Sequence, residues 1–160
     1  MQPEAVILAS HLPNEGHFRS SLVPTVSLPC LDDFSYWGGL ERLWPCGRTI
    51  INLEHDLAVT DEHIRSLLDC NFWLCTIAYR VHWVTTGHPT SLFAHHRHGK
   101  PISRGDEWAD FSGIGLCKIG RDARVGELRR EPWPRVEMAV GDAVRGLWHV
   151  HWPEATHHHY

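Results

Sequence analysis

The feature that most constrains this chain is the run Thr49-Ile50-Ile51-Asn52-Leu53, which is followed at once by Glu54-His55-Asp56 and then by Thr60-Asp61-Glu62. A short β-branched run set off by Pro45 and Gly47 reads as a central strand buried on both faces. Thr60 is a good N-cap, Asp61 and Glu62 suit a first helical turn, and Ile64, Leu67 and Leu68 repeat at helical spacing as far as Cys70. An acidic triplet between a strand and a helix marks an α/β unit. In open α/β sheets, ligands gather at the carboxyl ends of the strands.

The flanking sequence extends this pattern. Ala5 to Ser10 is an apolar run that breaks at His11-Leu12-Pro13-Asn14, as a first buried strand entering a loop would. Thr25 to Leu28 is a minor strand between Pro24 and Pro29. Tyr36, Trp37, Leu40, Leu43 and Trp44 form one helical face, with Asp33 or Ser35 as its cap. Phe72 to Val84 has no breaker and reads as another strand. Residues 86 to 112, with Gly87, Pro89, Gly99, Pro101 and Gly105 among several histidines, read as a long polar excursion. Gly113 to Ile119 returns to strand character, and Val136, Ala139, Val140 and Val144 form a weak helical stripe. In Trp148-His149-Val150-His151-Trp152, alternation puts both histidines on one side. Trp37, Trp44 and Trp73 sit in patterns that read as core.

At 160 residues and 42 % hydrophobic content, one α/β domain is the expected size. A formal charge of −4 leaves no basic excess for long-range attraction to nucleic acid or an anionic membrane, so a nucleic acid would have to be gripped locally. No apolar stretch approaches the roughly 20 residues that span a bilayer. Five cysteines without a CxxC pair, and no signal-type segment after Met1, argue against a disulfide framework and fit a reducing cytoplasm.

The chemistry-bearing candidates follow from position. With strand geometry continued, Glu54 and Asp56 point the same way and can share a hard cation with phosphate oxygens, the arrangement a nucleotide diphosphate needs. The plain alternative is that they open a loop. His55 packs sideways. His149 and His151 share one strand face and can both reach a metal, or they lie on an exposed edge. His157-His158-His159-Tyr160 extends that cluster or is a frayed tail. Glu137, one turn into the last helix beside Trp133, can be a general base whose pKa desolvation raises, although the helix dipole alone favours Glu there. Asp106, Glu107 and Asp110 are spare candidates. GxSxG, GxxxxGK[ST] and HExxH are absent, and nothing pairs Cys117 with a histidine.

Asp33-Phe34-Ser35-Tyr36-Trp37, Leu40 to Gly47 and Thr49 to Asp56 together resemble short GT-A glycosyltransferase-like proteins of phages and actinobacteria, related to the TET-associated glycosyltransferase group. The likeness runs on through Leu67 to Cys70, Trp73 to Cys75, Tyr79, Gly113 to Lys118, Trp133, Glu137, Gly146, His149, His151, Pro153 and His157 to His159. It implies a minimal, single-domain GT-A (Rossmann-like) fold with a mixed central sheet flanked by helices. It also implies a cytoplasmic, metal-dependent transferase that uses Mn or Mg and a nucleotide-diphosphate sugar.

By this resemblance Asp56 is the direct metal ligand, Glu54 sits near the ribose or a metal water, and His149 and His151 complete the metal site. Ser10, His11 and Pro13 line the nucleotide, Lys118 approaches phosphate, and Glu137 deprotonates the acceptor, giving inversion. The implied acceptor is a hydroxymethylated pyrimidine in phage DNA, with Trp83, Arg97, Lys100, Arg104, Arg121, Arg129 and Arg130 as stacking and phosphate contacts. Glu54 replaces the first Asp of the usual motif, and Glu137 stands where Asp is expected. Two rivals predict other behaviour: a zinc hydrolase built on His149, His151 and Asp56, and an idle nucleotide-binding module.

Overall fold

The protein is described by a computed structural model over residues 4–85 and 88–157, with side chains of residues 82–90 set aside. The Trp83 side chain, Gly87 and His158 to Tyr160 therefore lie outside the described residues. In chain order the strands are β1 (Ala5–His11), β2 (Thr25–Pro29), β3 (Thr49–Leu53), β4 (Leu74–Thr85), β5 (His88–Phe93), β6 (His95–Arg97), β7 (Lys100–Pro101), β8 (Trp108–Ala109), β9 (Phe111–Ser112), β10 (Leu116–Ile119) and β11 (Trp148–Ala155). The helices are α1 (Ser35–Leu43), α2 (Asp61–Asp69) and α3 (Val136–Ala143).

The main sheet is mixed and eight-stranded, in the order β2-β1-β3-β10-β4-β11-β8, with β5 pairing off β4. β1 is parallel to β2 and β3, β10 runs antiparallel between β3 and β4, and β11 is parallel to β4. β3 is buried on both faces because layers cover both sides. Ile50, Cys117, Ile119, Leu74, Trp148 and Val150 meet Tyr36 and Leu40 of α1 and Val136, Ala139 and Val140 of α3. Ile51, Leu53, Cys75, Ile77 and Leu116 meet Ile64 and Leu67 of α2. Gly39 lets α1 approach closely, since a Cβ there would lie 2.8 Å from Leu28 Cδ2.

Several expectations change. Neither Asp33 nor Ser35 is the cap of α1; the N-cap is Phe34, whose N–H donates to Asp32 Oδ1 at 2.8 Å. At α2 the cap is Thr60, and its N–H donates to His63 Nδ1 at 3.2 Å. The 86–112 region is a strand-rich excursion: β5 forms a hairpin with β4, and β7-β6-β9 make a second small sheet. Strands of two or three residues carry too little periodicity to be read in advance. Trp73 is 53 % exposed, whereas Trp37 and Trp44 pack partly buried against the core. Among the described residues, no helix is long and apolar enough to cross a membrane.

Candidate functional site

β1 leads to β2 on one side, while α1 carries the chain back across β1 to β3 on the other. The carboxyl ends of β1 and β3 thus border a topological switch point, where loops diverge and leave a crevice. A cavity of about 220 Å³ lies there, lined by Ala9 and Ser10, by Glu15 to Phe18 of the following loop, and by Leu53, Glu54 and His55. Ser10 Oγ accepts the His55 N–H at 3.0 Å and lies 3.0 Å from the Tyr36 hydroxyl, which reaches His55 Nδ1 at 3.4 Å. Ser10 therefore lines the crevice and also braces its floor. His11 Nδ1 faces the Leu12 carbonyl at 2.8 Å, and neither His11 nor the exposed Pro13 is in the lining.

The acidic triplet is a turn and not an extension of the strand, because β3 ends at Leu53. Glu54 is 8 % exposed, and its N–H donates to the Gly115 carbonyl at 2.8 Å. Burial pushes its carboxyl well above the usual range, and the nearby Glu137 and Asp56 carboxylates push it further. Glu54 Oε1 and Asp56 Oδ1 are both buried without a hydrogen-bond partner among the described residues. Such orphaned oxygens are costly unless something positive meets them. Glu137 reaches the same place from the first turn of α3; its Oε1 accepts the Ile114 N–H at 3.3 Å. Burial pushes Glu137 up to about 7, and that hydrogen bond holds it from rising further. Gly115 makes room for the group: a Cβ there would lie 2.7 Å from Tyr79 Cζ and 2.9 Å from Glu54 Oε2.

His149 and His151 belong elsewhere, which corrects the expectation that they complete a site with Glu54 and Asp56. They share rows of the sheet with Cys75 and Ile77, on the face covered by α2. Glu54 follows Leu53 by one residue and meets Glu137 of α3 on the other face. The group of ligand-type side chains that converges around His149 and His151 contains neither Glu54 nor Asp56. Instead, His149 Nδ1 lies 3.2 Å from His151 Nε2 and 3.6 Å from Cys70 Sγ. Cys70 and Cys75 are drawn together as a disulfide, contrary to the expectation from the odd cysteine count, because one short turn joins the end of α2 to β4. Among the described residues, Cys70, Cys75, His149 and His151 are the one group of three or more such side chains whose ligand atoms converge, all within 4.8 Å of one another. Burial first, then His149 and Lys118, push His151 down to about 4, leaving its ring neutral at pH 7.

Lys118 also lies on this face. Its Nζ donates to the Cys70 carbonyl at 2.6 Å, which corrects its placement beside a phosphate in the crevice. The C-terminal segment returns beside the residue after the triplet: the His157 backbone bridges Leu57, and the Thr156 carbonyl accepts the Ala58 N–H at 2.7 Å. Of the spare acids, Glu107 Oε1 meets His149 Nε2 at 3.3 Å, Asp106 accepts the Ser103 N–H and Asp110 the His98 N–H. Most of the basic candidates are engaged locally. Arg104 pairs with Glu154 and Arg121 with Asp122, Arg129 pairs with Glu131 and Asp142, and Arg130 lies over Phe34 at 3.8 Å. Arg97 Nε lies 3.5 Å from His98 Nε2, and Lys100 is exposed.

Not legible in the sequence were Tyr36 as a brace for Ser10 and His55, the 15–18 loop, Gly115, and both cysteines of the second cluster. Only the last left a trace, since Cys70 and Cys75 bracket the break between a helix and a strand. No family model, curated protein or solved structure matches the chain.

Proposed function

We propose that the crevice between β1 and β3 binds a nucleotide-diphosphate sugar with Mn or Mg, and that the protein transfers the sugar to an acceptor hydroxyl. The observation that carries this reading is the pair of buried, partnerless oxygens, Glu54 Oε1 and Asp56 Oδ1, beside a switch-point crevice. All-oxygen donors suit a hard divalent cation that keeps positions for phosphate oxygens. The order of the elements also agrees with a minimal GT-A domain: three parallel strands, the acidic triplet after the last, then an antiparallel strand.

Glu54 and Asp56 would hold the cation, which when bound supplies charge neutralisation for the departing diphosphate. Ser10 and Tyr36 fix the turn that presents the two carboxylates. Glu137 accepts the proton of the acceptor hydroxyl as that oxygen bonds to the anomeric carbon and the bond from carbon to phosphate oxygen breaks. A base poised near 7 is well matched to this step. Attack opposite the leaving group inverts the anomeric centre. The acceptor proposed is a hydroxymethylated pyrimidine of DNA, held locally rather than by a basic face. Less favoured is the zinc hydrolase on His149, His151 and Asp56, since among the described residues the group that converges around the two imidazoles contains Cys70 and Cys75 and not Asp56.

The test is mass spectrometry of hydroxymethylated DNA incubated with the protein, manganese and a panel of nucleotide sugars. One added hexose or pentose per modified base, lost in Glu137→Gln, is the expected result. Nucleotide binding without transfer to DNA or to small alcohols would instead make the chain an idle binding module.

A further inference from the structure

We propose that Cys70, Cys75, His149 and His151 form a structural zinc site when the two cysteines are reduced, a site separate from the crevice. The four residues come from three elements: Cys70 ends α2, Cys75 opens β4, and both histidines open β11. Their ligand atoms all lie within 4.8 Å of one another. A tetrahedral zinc ion with Zn–S near 2.3 Å and Zn–N near 2.0–2.1 Å places two nitrogens about 3.3 Å apart and a sulfur about 3.6 Å from a nitrogen. The observed separations are 3.2 Å for His149 Nδ1 to His151 Nε2 and 3.6 Å for Cys70 Sγ to His149 Nδ1.

The surroundings agree with that chemistry. Ligating histidines commonly give their other ring N–H to a carboxylate, which fixes the tautomer. Glu107 Oε1 sits 3.3 Å from His149 Nε2, so an N–H there leaves the Nδ1 lone pair aimed at Cys70 and His151. Phe72 and Trp108 pack on the His149 ring, with centroids 5.0 and 4.9 Å away, and hold its orientation. Two thiolates with two imidazoles select zinc over hard cations, and four protein ligands leave no open position for a substrate. The role is therefore to tie the end of α2 to the starts of β4 and β11.

The disulfide and the ion are mutually exclusive. A phosphine reductant and one water convert the disulfide to two thiols and a phosphine oxide; zinc then displaces the two thiol protons. Oxidation by a disulfide such as oxidised glutathione reverses this, forming two glutathione thiols and releasing zinc.

The full chain, reduced with a phosphine and passed through a desalting column with zinc chloride, is assayed for bound metal, and a parallel sample is loaded with cobalt(II). The expected result is one zinc per chain, a cobalt spectrum with thiolate charge transfer and intense tetrahedral bands, and loss of both after glutathione oxidation. His149→Gln and Cys70→Ser weaken zinc binding by more than about 100-fold, since even outer partners of a ligand are worth roughly 10- to 100-fold. The wild-type cobalt spectrum needs no variant and stands if a variant misfolds. Reduced protein that binds no zinc, or a cobalt spectrum without thiolate charge transfer, overturns the proposal. So does zinc binding unchanged in a folded His149→Gln.

Discussion

Two places in the fold gather ligand-type side chains of different chemistry. At the end of β3, Glu54 lines the crevice, and the Asp56 and Glu137 carboxylates lie close enough to raise it further. Beneath α2, Cys70, Cys75, His149 and His151 gather sulfur and nitrogen where helix and strands meet, closed on themselves. Among the described residues the first leaves two buried carboxylate oxygens without a hydrogen-bond partner, whereas in the second Cys70 and Cys75 are joined to each other. A carboxylate pair with vacant lone pairs is suited to exchangeable chemistry, and a closed sulfur–nitrogen tetrad is suited to holding structure.

This contrast can be broken at either side. The largest expected effect is on turnover: Glu137→Gln should lower kcat by about 10²- to 10⁴-fold with little change in nucleotide affinity. Wild-type kcat should rise with pH through about 7, as the Glu137 proton leaves. Steady-state kinetics against pH decide this, and a flat profile would remove Glu137 as the base.

A smaller effect concerns stability. Glu54 and Glu137 are both raised, so the native state binds more protons than the unfolded chain between the ordinary carboxylate range and about 7. Glu137 alone should therefore cost the metal-free protein about 3 kcal/mol as pH climbs through that window, and Glu54 adds to the loss. Manganese should flatten the slope, and urea unfolding at a series of pH values measures it. Gly115→Ala forces a Cβ against Tyr79 and Glu54 and should cost about 1 to 3 kcal/mol, again read by urea. The smallest effect is at the free cysteines: Cys46→Ser should change stability by less than about 0.5 kcal/mol and leave zinc content unaltered, as measured by metal analysis.

Much of the frame was legible because its signals are local. The β-branched Thr49–Leu53 run, the Thr60 cap and the Leu40 stripe each state their own element, and burial of Ile50 and Leu40 at 0 % exposure follows. Glu137 was also legible as a desolvated carboxylate, from its place beside Trp133 in the first turn of the last helix. What was not legible is pairing between distant segments. His149 stands beside Cys75 only because β11 docks parallel to β4, a register that no local pattern encodes. The alternation that united His149 with His151 was read correctly, yet it could not say which face of the sheet they would share, nor that Lys118 would turn to the Cys70 carbonyl. The Gly- and Pro-punctuated 86–112 stretch hid its short strands for a related reason, since their partners are residues far away in the chain.

The separation of the two sites is tested most directly by calorimetric titration of a uridine or guanosine diphosphate, with and without manganese, into wild type, Asp56→Asn and the His149→Ala/His151→Ala double variant. Manganese-dependent nucleotide binding should persist in the histidine variant and vanish in Asp56→Asn. Binding that survives the loss of Asp56, or that disappears with the two histidines, would show that the carboxylate crevice is not the nucleotide site.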